Sequence, residues 1–171
     1  MNRWDEYFLN ICNKVAQNSK CMSRKIGAII VIDKSIISTG YNGPPRNVIH
    51  CDQRHQYDDK LAEKLKFYFT CANRYDYLPK CPRQLMGYKS GEGLEWCVAG
   101  HAEGNSIVNA AREGIKVKGA TMYMSCSIPC SPCLIKIINA GIVEIVVTKL
   151  EYYDVSGEFL VKNSKLKVRT Y

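Results

Sequence analysis

The 171-residue sequence predicts an α/β fold, a three-layer α/β/α sandwich around a mixed, mostly parallel five-stranded sheet. Three observations predict it: an amphipathic helical start, an apolar hairpin, and a helix–strand–helix–strand alternation in the second half. Residues 4–16 set Trp4, Phe8, Ile11, Cys12 and Val15 on one helical face. Residues 26–33 and 35–40 are apolar runs joined tightly, the pattern of a hairpin. After His101, the stripe Ala102, Ile107, Val108, Ala110 and Ala111 reads as a helix ending at Gly114, and a buried strand at 120–124 follows. The pattern repeats with Leu134, Ile135, Ile137, Ile138 and Ala140 before Gly141, then a strand at 142–148. In the tail 162–169, Lys162, Lys165, Lys167 and Arg169 alternate with Leu166 and Val168, which suits a final edge strand whose lysines discourage further pairing. At 46% hydrophobic residues the chain can bury a sizeable core, and it reads as a single domain, 1–171, with an insertion at about 48–96.

Chemistry concentrates in two short segments. His101-Ala102-Glu103 is followed by Pro129-Cys130-Ser131-Pro132-Cys133, the H-x-E…P-C-x-x-C pattern of zinc-dependent nucleobase deaminases. Catalytic zinc takes three protein ligands and keeps one position open. His101, Cys130 and Cys133 are the candidate ligands, and Zn²⁺ the expected cofactor. A Cys-x-x-Cys pair on the first turn of a helix puts both sulfurs on one face, Pro132 suits a helix start, and the helix end favours thiolate. Glu103 need not touch the metal; it is the candidate catalytic acid–base. Alone, Cys-x-x-Cys fits a redox pair or half of a zinc ribbon, and His-x-Glu means little. Together they point to hydrolytic deamination, with a non-catalytic zinc module as the alternative of another class.

The nine cysteines are an odd set, and the N-terminal residues lack the apolar core of a signal peptide. Both argue against a disulfide-built secreted protein and favour the cytoplasm. Cys12 and Cys71 are expected in the core. No stretch reaches the roughly 20 apolar residues of a membrane span. A net charge of +8 suits either a polynucleotide or a phosphorylated small molecule; Arg24, Lys25, Arg46 and Arg112 are candidate phosphate contacts, and no RNA-binding module is present. Tyr57, Tyr68, Tyr75 and Tyr77 in the insertion are expected to form a satellite core rather than a base-stacking surface.

Further residues carry a resemblance. Ile26-Gly27-Ala28, then Ser38-Thr39-Gly40-Tyr41-Asn42-Gly43-Pro44-Pro45, then Gly87…Ser90-Gly91-Glu92-Gly93 and Cys97 lead into the zinc motif, with Asn105 and Asn139-Ala140-Gly141-Ile142 beyond. Over roughly residues 5–150 the chain resembles the cytidine deaminase superfamily and, within it, the deoxycytidylate (dCMP) deaminases. The resemblance implies a cytidine-deaminase-like fold, with conversion of dCMP to dUMP and ammonia for thymidylate synthesis. It implies substrate contacts at Asn42, Ala102, Tyr123 and Ser125. It also implies a regulatory site for dCTP as activator and dTTP as inhibitor, with Mg²⁺ accompanying a bound triphosphate, at Gly40, Tyr41, Asn42, Gly43 and Arg112. A homo-hexamer and a second, structural zinc on Cys21 and Cys51 are implied too; Cys81 and Cys97 are that zinc's remaining partners, with His50 and His55 as alternatives. Without the resemblance, Asn42-Gly43 is simply a turn signal. The stretch from Met122 to Pro129 is one residue longer than the family's, and Ser125 stands for its threonine, which leaves open which of Ser125, Cys126 and Ser127 faces the base. Another cytosine, guanine or adenine substrate, as nucleoside, base or single-stranded nucleic acid, remains the alternative.

Overall fold

The computed structural model describes residues 2–70, 73 and 75–171. They divide into two compact units: residues 1–19, 26–42 and 101–171 form the first, and residues 20–25 and 43–100 the second.

The first unit is built on a five-stranded sheet in the order β2-β1-β3-β4-β5, with β1 at Gly27–Ile32, β2 at Ser35–Tyr41, β3 at Thr121–Met124, β4 at Glu144–Val147 and β5 at Lys167–Thr170. The sheet is mixed and evenly split: β1 pairs antiparallel with β2 and β3, while β3–β4 and β4–β5 are parallel. The β1–β2 hairpin turns through Asp33 and Lys34, both with positive φ (48° and 63°), as a two-residue turn matching strand twist requires.

Both sheet faces are covered, so the inner strands are mostly apolar on both sides instead of alternating with polar residues. One face sends Ala28, Ile30, Met122, Met124, Ile145 and Val147 into a core shared with α4 (Ala102–Arg112), α5 (Ser131–Asn139) and α6 (Val155–Asn163). The other sends Ile29, Val31, Tyr123 and Val146 against Phe8 and Cys12 of α1 (Arg3–Gln17). A buried Asp5 on α1, accepting two hydrogen bonds from Arg169 at 2.9 and 3.0 Å, ties that helix to β5. On α1, Phe8 and Cys12 go inward as expected, but Trp4 stays partly exposed, stacked on Phe8 at 5.7 Å.

The tail departs from expectation. Lys162 lies on α6, not on a strand, and only Lys167–Thr170 forms the edge strand. Asp154 caps this helix by accepting from the Gly157 amide at 2.7 Å, and the helix it starts runs on through Lys162, where the alternating tail is expected to be strand.

Close packing of α4 on β2 sets the position of the metal motif. A Cβ at Gly40 would stand 2.3 Å from the Ser106 nitrogen and 2.4 Å from the Ala102 carbonyl, so only glycine lets the helix lie there. Three bonds fix its register: Asn105 donates to the Tyr41 carbonyl (2.8 Å), Asn109 to that of Thr39 (2.8 Å), and the Ser38 hydroxyl to that of Ser106 (2.7 Å).

The second unit contains the described residues of the 48–96 segment. It carries two short helices, α2 (Asp59–Lys64) and α3 (Pro82–Leu85), around a small core of Leu61, Leu65 and Leu78. The expected tyrosine cluster does not form. Tyr57, Tyr75 and Tyr77 are 70, 74 and 64% exposed and Tyr68 is 36% exposed; the leucines fill the interior, with Phe69 packed against them and stacked on His55 at 5.0 Å. Cys71 lies outside the described residues. No helix of the described residues is long and apolar enough to cross a membrane.

Candidate active site

The three candidate ligands meet at helix starts. His101 is the N-cap of α4 and Cys130 the N-cap of α5, and neither side chain caps its own helix. Cys133 sits one turn into α5, where the three-residue spacing returns its sulfur to the same face. The site lies beyond the carboxyl end of β3, where open α/β sheets place their ligands.

The geometry fits a zinc ion. His101 Nδ1 lies 3.4 Å from Cys130 Sγ and 3.3 Å from Cys133 Sγ. A tetrahedral zinc with ordinary Zn–S and Zn–N bonds holds such atoms about 3.5 Å apart. Among the described residues, His101, Cys130 and Cys133 are the group of metal-ligating side chains whose ligand atoms all lie within 4.8 Å of one another. The thiols share one proton. Cys130 is drawn down to about 4 by its hydrogen bond with Cys133 and then by His101, while Cys133 is pushed up by the same bond, by burial and by the charge of Glu103. A bound dication replaces that proton.

Glu103 is 4% exposed, with its Oε2 3.9 Å from Cys133 Sγ. The carboxylate thus stands beside the ligand set without belonging to it. His101 is exposed, which leaves one side of the cluster open. Ala102, directly after it, is wholly buried.

Other sequence candidates fall around this cluster or away from it. The Asn42 side chain accepts from the Ile26 amide at 2.8 Å, and its carbonyl accepts from the Ser19 hydroxyl at 2.6 Å, so it secures the end of the hairpin. The Ser125 hydroxyl accepts from the Gly27 amide at 2.9 Å and extends the β1–β3 pairing. Tyr123 is not brought to the cluster. It points to the opposite sheet face, 4.7 Å from Phe8, because β3 alternates and Met122 and Met124 take the metal-side face. Arg112 sits at the far end of α4, about 16 Å along the helix from its start, bonded to Glu113 at 2.8 Å and Asn109 at 3.4 Å. Tyr41 is 44% exposed beside Gly40.

In the second unit, Cys51 is pushed up to about 11, first by burial and then by the neighbouring Cys81, Cys97 and Cys21. These four cysteines share one neighbourhood, yet their sulfurs do not converge as the catalytic set does. His50 Nδ1 and Asp52 Oδ1, flanking Cys51, are buried without a hydrogen-bond partner.

One residue near the metal motif carries no motif signal. Asp154 accepts from the Ser131 amide at 2.9 Å and from the Ser131 hydroxyl, between the two cysteine ligands. An aspartate just ahead of a helical stretch is the one trace it leaves in the sequence.

The model of the cytidine and deoxycytidylate deaminase zinc-binding region matches residues 2–149. The chain is 30% identical over 168 residues to the deoxycytidylate deaminase of Saccharomyces cerevisiae, covering 98% of this chain and 45% of that protein. It is 34% identical over 151 residues to the deoxycytidylate deaminase of Mycobacterium phage D29, covering 85% of this chain and 94% of that one. The chain thus spans under half the length of its yeast relative. The crystal structure of the cyanophage S-TIM5 dCMP deaminase in complex with dCMP and dUMP shares the fold, with a TM-score of 0.66 at 20% identity, over 100% of this chain and 99% of that one. Motif, ligand geometry, fold and family model agree: the chain belongs to the cytidine and deoxycytidylate deaminase zinc-binding family.

Proposed function

We propose that this chain catalyses hydrolytic deamination of dCMP, with water entering and dUMP and ammonia leaving. The observation that carries the reading is the convergence of His101, Cys130 and Cys133 beside a buried Glu103. A zinc ion held there supplies Lewis-acid activation of water at neutral pH. Glu103 would take one proton from the attacking water and give it to the ring nitrogen, then take the second from the added hydroxyl and give it to the amine, which leaves as ammonia. Burial keeps its carboxylate away from bulk water, and the helix start beneath it holds it in place. The choice of dCMP rests on relatives named as deoxycytidylate deaminases, on the S-TIM5 complex, and on a net charge of +8 that favours a phosphorylated substrate.

The finer parts of the reading rest on the resemblance. They are dCTP activation and dTTP inhibition at Gly40, Tyr41, Asn42, Gly43 and Arg112, Mg²⁺ with the triphosphate, substrate contacts from Asn42, Ala102 and Ser125, a homo-hexamer, and a place in cytoplasmic thymidylate synthesis. Exposed Ile135, Val155 and Phe159 on α5 and α6 support an assembly that covers them. A second zinc on Cys21, Cys51, Cys81 and Cys97 is supported by their shared neighbourhood and by the unpartnered His50 nitrogen beside them.

The test is ammonia release from dCMP, cytidine, guanine and an oligonucleotide, with wild type and Glu103→Gln, alongside metal quantitation. The reading expects turnover of dCMP above the others. It expects a fall of roughly 10²–10⁴-fold or more in the variant with its zinc retained. Activity on the oligonucleotide with dCMP inert overturns the substrate, and a variant that keeps its turnover overturns the enzyme.

A further inference from the structure

The turn that carries both cysteine ligands has an unusual end. The first amides of a helix lack intrahelical partners and are ordinarily capped by the residue just before. On α5 that residue is Cys130, whose sulfur is turned toward His101 and makes no cap. Pro132 has no N–H to satisfy. The remaining donor between the ligands is Ser131, and both its amide and its hydroxyl go to one carboxylate 23 residues along the chain, Asp154.

Asp154 is held in turn. Its Oδ1 also accepts from the Gly157 amide at 2.7 Å and so caps α6, while its Oδ2 accepts from the Ser131 amide at 2.9 Å. One carboxylate therefore closes two helix starts, where its charge is favourable to both dipoles. The two starts approach closely: a Cβ at Gly157 would lie 3.2 Å from Asp154 Oδ1, 3.4 Å from Leu134 Cδ1 and 3.9 Å from the Pro129 carbonyl.

We propose that Asp154 is a positioning residue for the metal centre, clamping the Cys130–Ser131–Pro132–Cys133 turn so that both sulfurs face His101. It bonds to neither ligand sulfur; it acts through Ser131. The proposal rests on the zinc reading above and adds to it a residue outside the motif. Groups that orient metal ligands from outside the ligand set typically change metal affinity or activity by roughly 10–100-fold when removed. Ser131 offers two bonds to the clamp, so the two partners should differ in weight. Losing the carboxylate frees both Ser131 donors and the Gly157 amide, whereas losing the hydroxyl leaves the amide bonds in place.

The test uses the full chain loaded with Co²⁺ or Zn²⁺. It measures the thiolate-to-cobalt absorption band and the rate of Zn²⁺ transfer to a chromophoric chelator for wild type, Asp154→Ala, Asp154→Asn and Ser131→Ala. Asp154→Ala is expected to shift or weaken the band and to speed zinc loss by roughly 10–100-fold, with Ser131→Ala smaller. Asp154→Asn keeps one acceptor oxygen for the α6 cap and should fold, so it carries the test if Asp154→Ala does not. Val155→Gly serves as a control: it weakens the first turn of α6 without touching α5, and should lower the melting temperature with zinc loss unchanged. Should Val155→Gly speed zinc loss as much as Asp154→Asn at an equal loss of stability, the clamp is only general support and the proposal fails. Wild-type zinc kinetics in a folded Asp154→Asn overturn the clamp alone, while a wild-type chain that takes up neither metal overturns the zinc reading and the clamp together.

Discussion

The two compact units place cysteines in opposite ways. In the first, His101 and Cys130 stand at the N-cap positions of helices packed on a sheet, Cys133 follows one turn later, and the nitrogen already stands 3.3 and 3.4 Å from the sulfurs. In the second, Cys51 lies in a turn, Cys81 precedes a four-residue helix, Cys97 ends a short 3₁₀ turn, and Cys21 sits in the separate stretch 20–25. Its core is three leucines, against thirteen fully or nearly buried residues in the larger cluster of the first unit. The contrast teaches where each geometry comes from. Side chains hung from helix ends over a filled core are placed by folding, and a metal then finds its ligands. Side chains hung from turns over a small core are not placed by packing, and the proposed second zinc would have to gather them, its binding energy becoming folding energy.

Stripping the metal is the strongest way to break that contrast. Chelation of the full chain should take dCMP turnover to background. Hydrogen exchange should then show β1, β3 and β4 still protected, while amides of α2 and α3 open. Equal loss in both units would mean that the catalytic centre is also built by its metal. An unchanged second unit would mean that its cysteines hold none.

A smaller effect tests the preformed side alone. Gly40→Ala puts a methyl group within 2.3 Å of the α4 backbone, with no flexible side chain to give way. Overpacking of this kind should cost about 3 kcal/mol, read as a lowered denaturation midpoint. Activity should fall with it, because α4 carries both His101 and Glu103. A cost well under 1 kcal/mol would show that α4 shifts freely on β2, and that the ligand geometry is less fixed than the helix packing implies.

What the sequence revealed follows the same division. The hairpin, α4, β3, α5 and β4 were legible because each is an apolar run or stripe closed by a turn residue, as Gly114 and Gly141 close the two helices. The zinc ligands were legible because short-range spacing alone puts Cys130 and Cys133 on one face. Two things were not legible. On α6, Val155 and Phe159 stand 87 and 66% exposed, so no buried stripe marks the helix; only the Asp154 cap does, and its second role depends on a contact distant in sequence. In the insertion, tyrosines are as many as leucines, yet Leu61, Leu65 and Leu78 took the interior and left three tyrosine rings in solvent. A phenol buried there would need a partner for its hydroxyl, and leucine needs none.

The smallest effect separates a structural cysteine from a ligating one within the first unit. Cys12 is fully buried under α1, and burial pushes its thiol up from the ordinary 9.0 to about 12, against a lesser opposing pull from the Tyr171 hydroxyl at 3.8 Å. Between pH 9 and 12 the folded chain therefore keeps a proton that the unfolded chain has released. The fold's advantage from this group is complete below pH 9 and drains away as pH rises, by at most about 1.4 kcal/mol per pH unit. Denaturant midpoints for wild type and Cys12→Ala, taken from pH 8 to 10.5, should show the wild type's lead over the variant narrowing above pH 9. A lead that stays constant over that range would show Cys12 ionising as freely as an unfolded thiol, and the contrast between a thiol held neutral by a core and a pair held for a metal would lose its structural half.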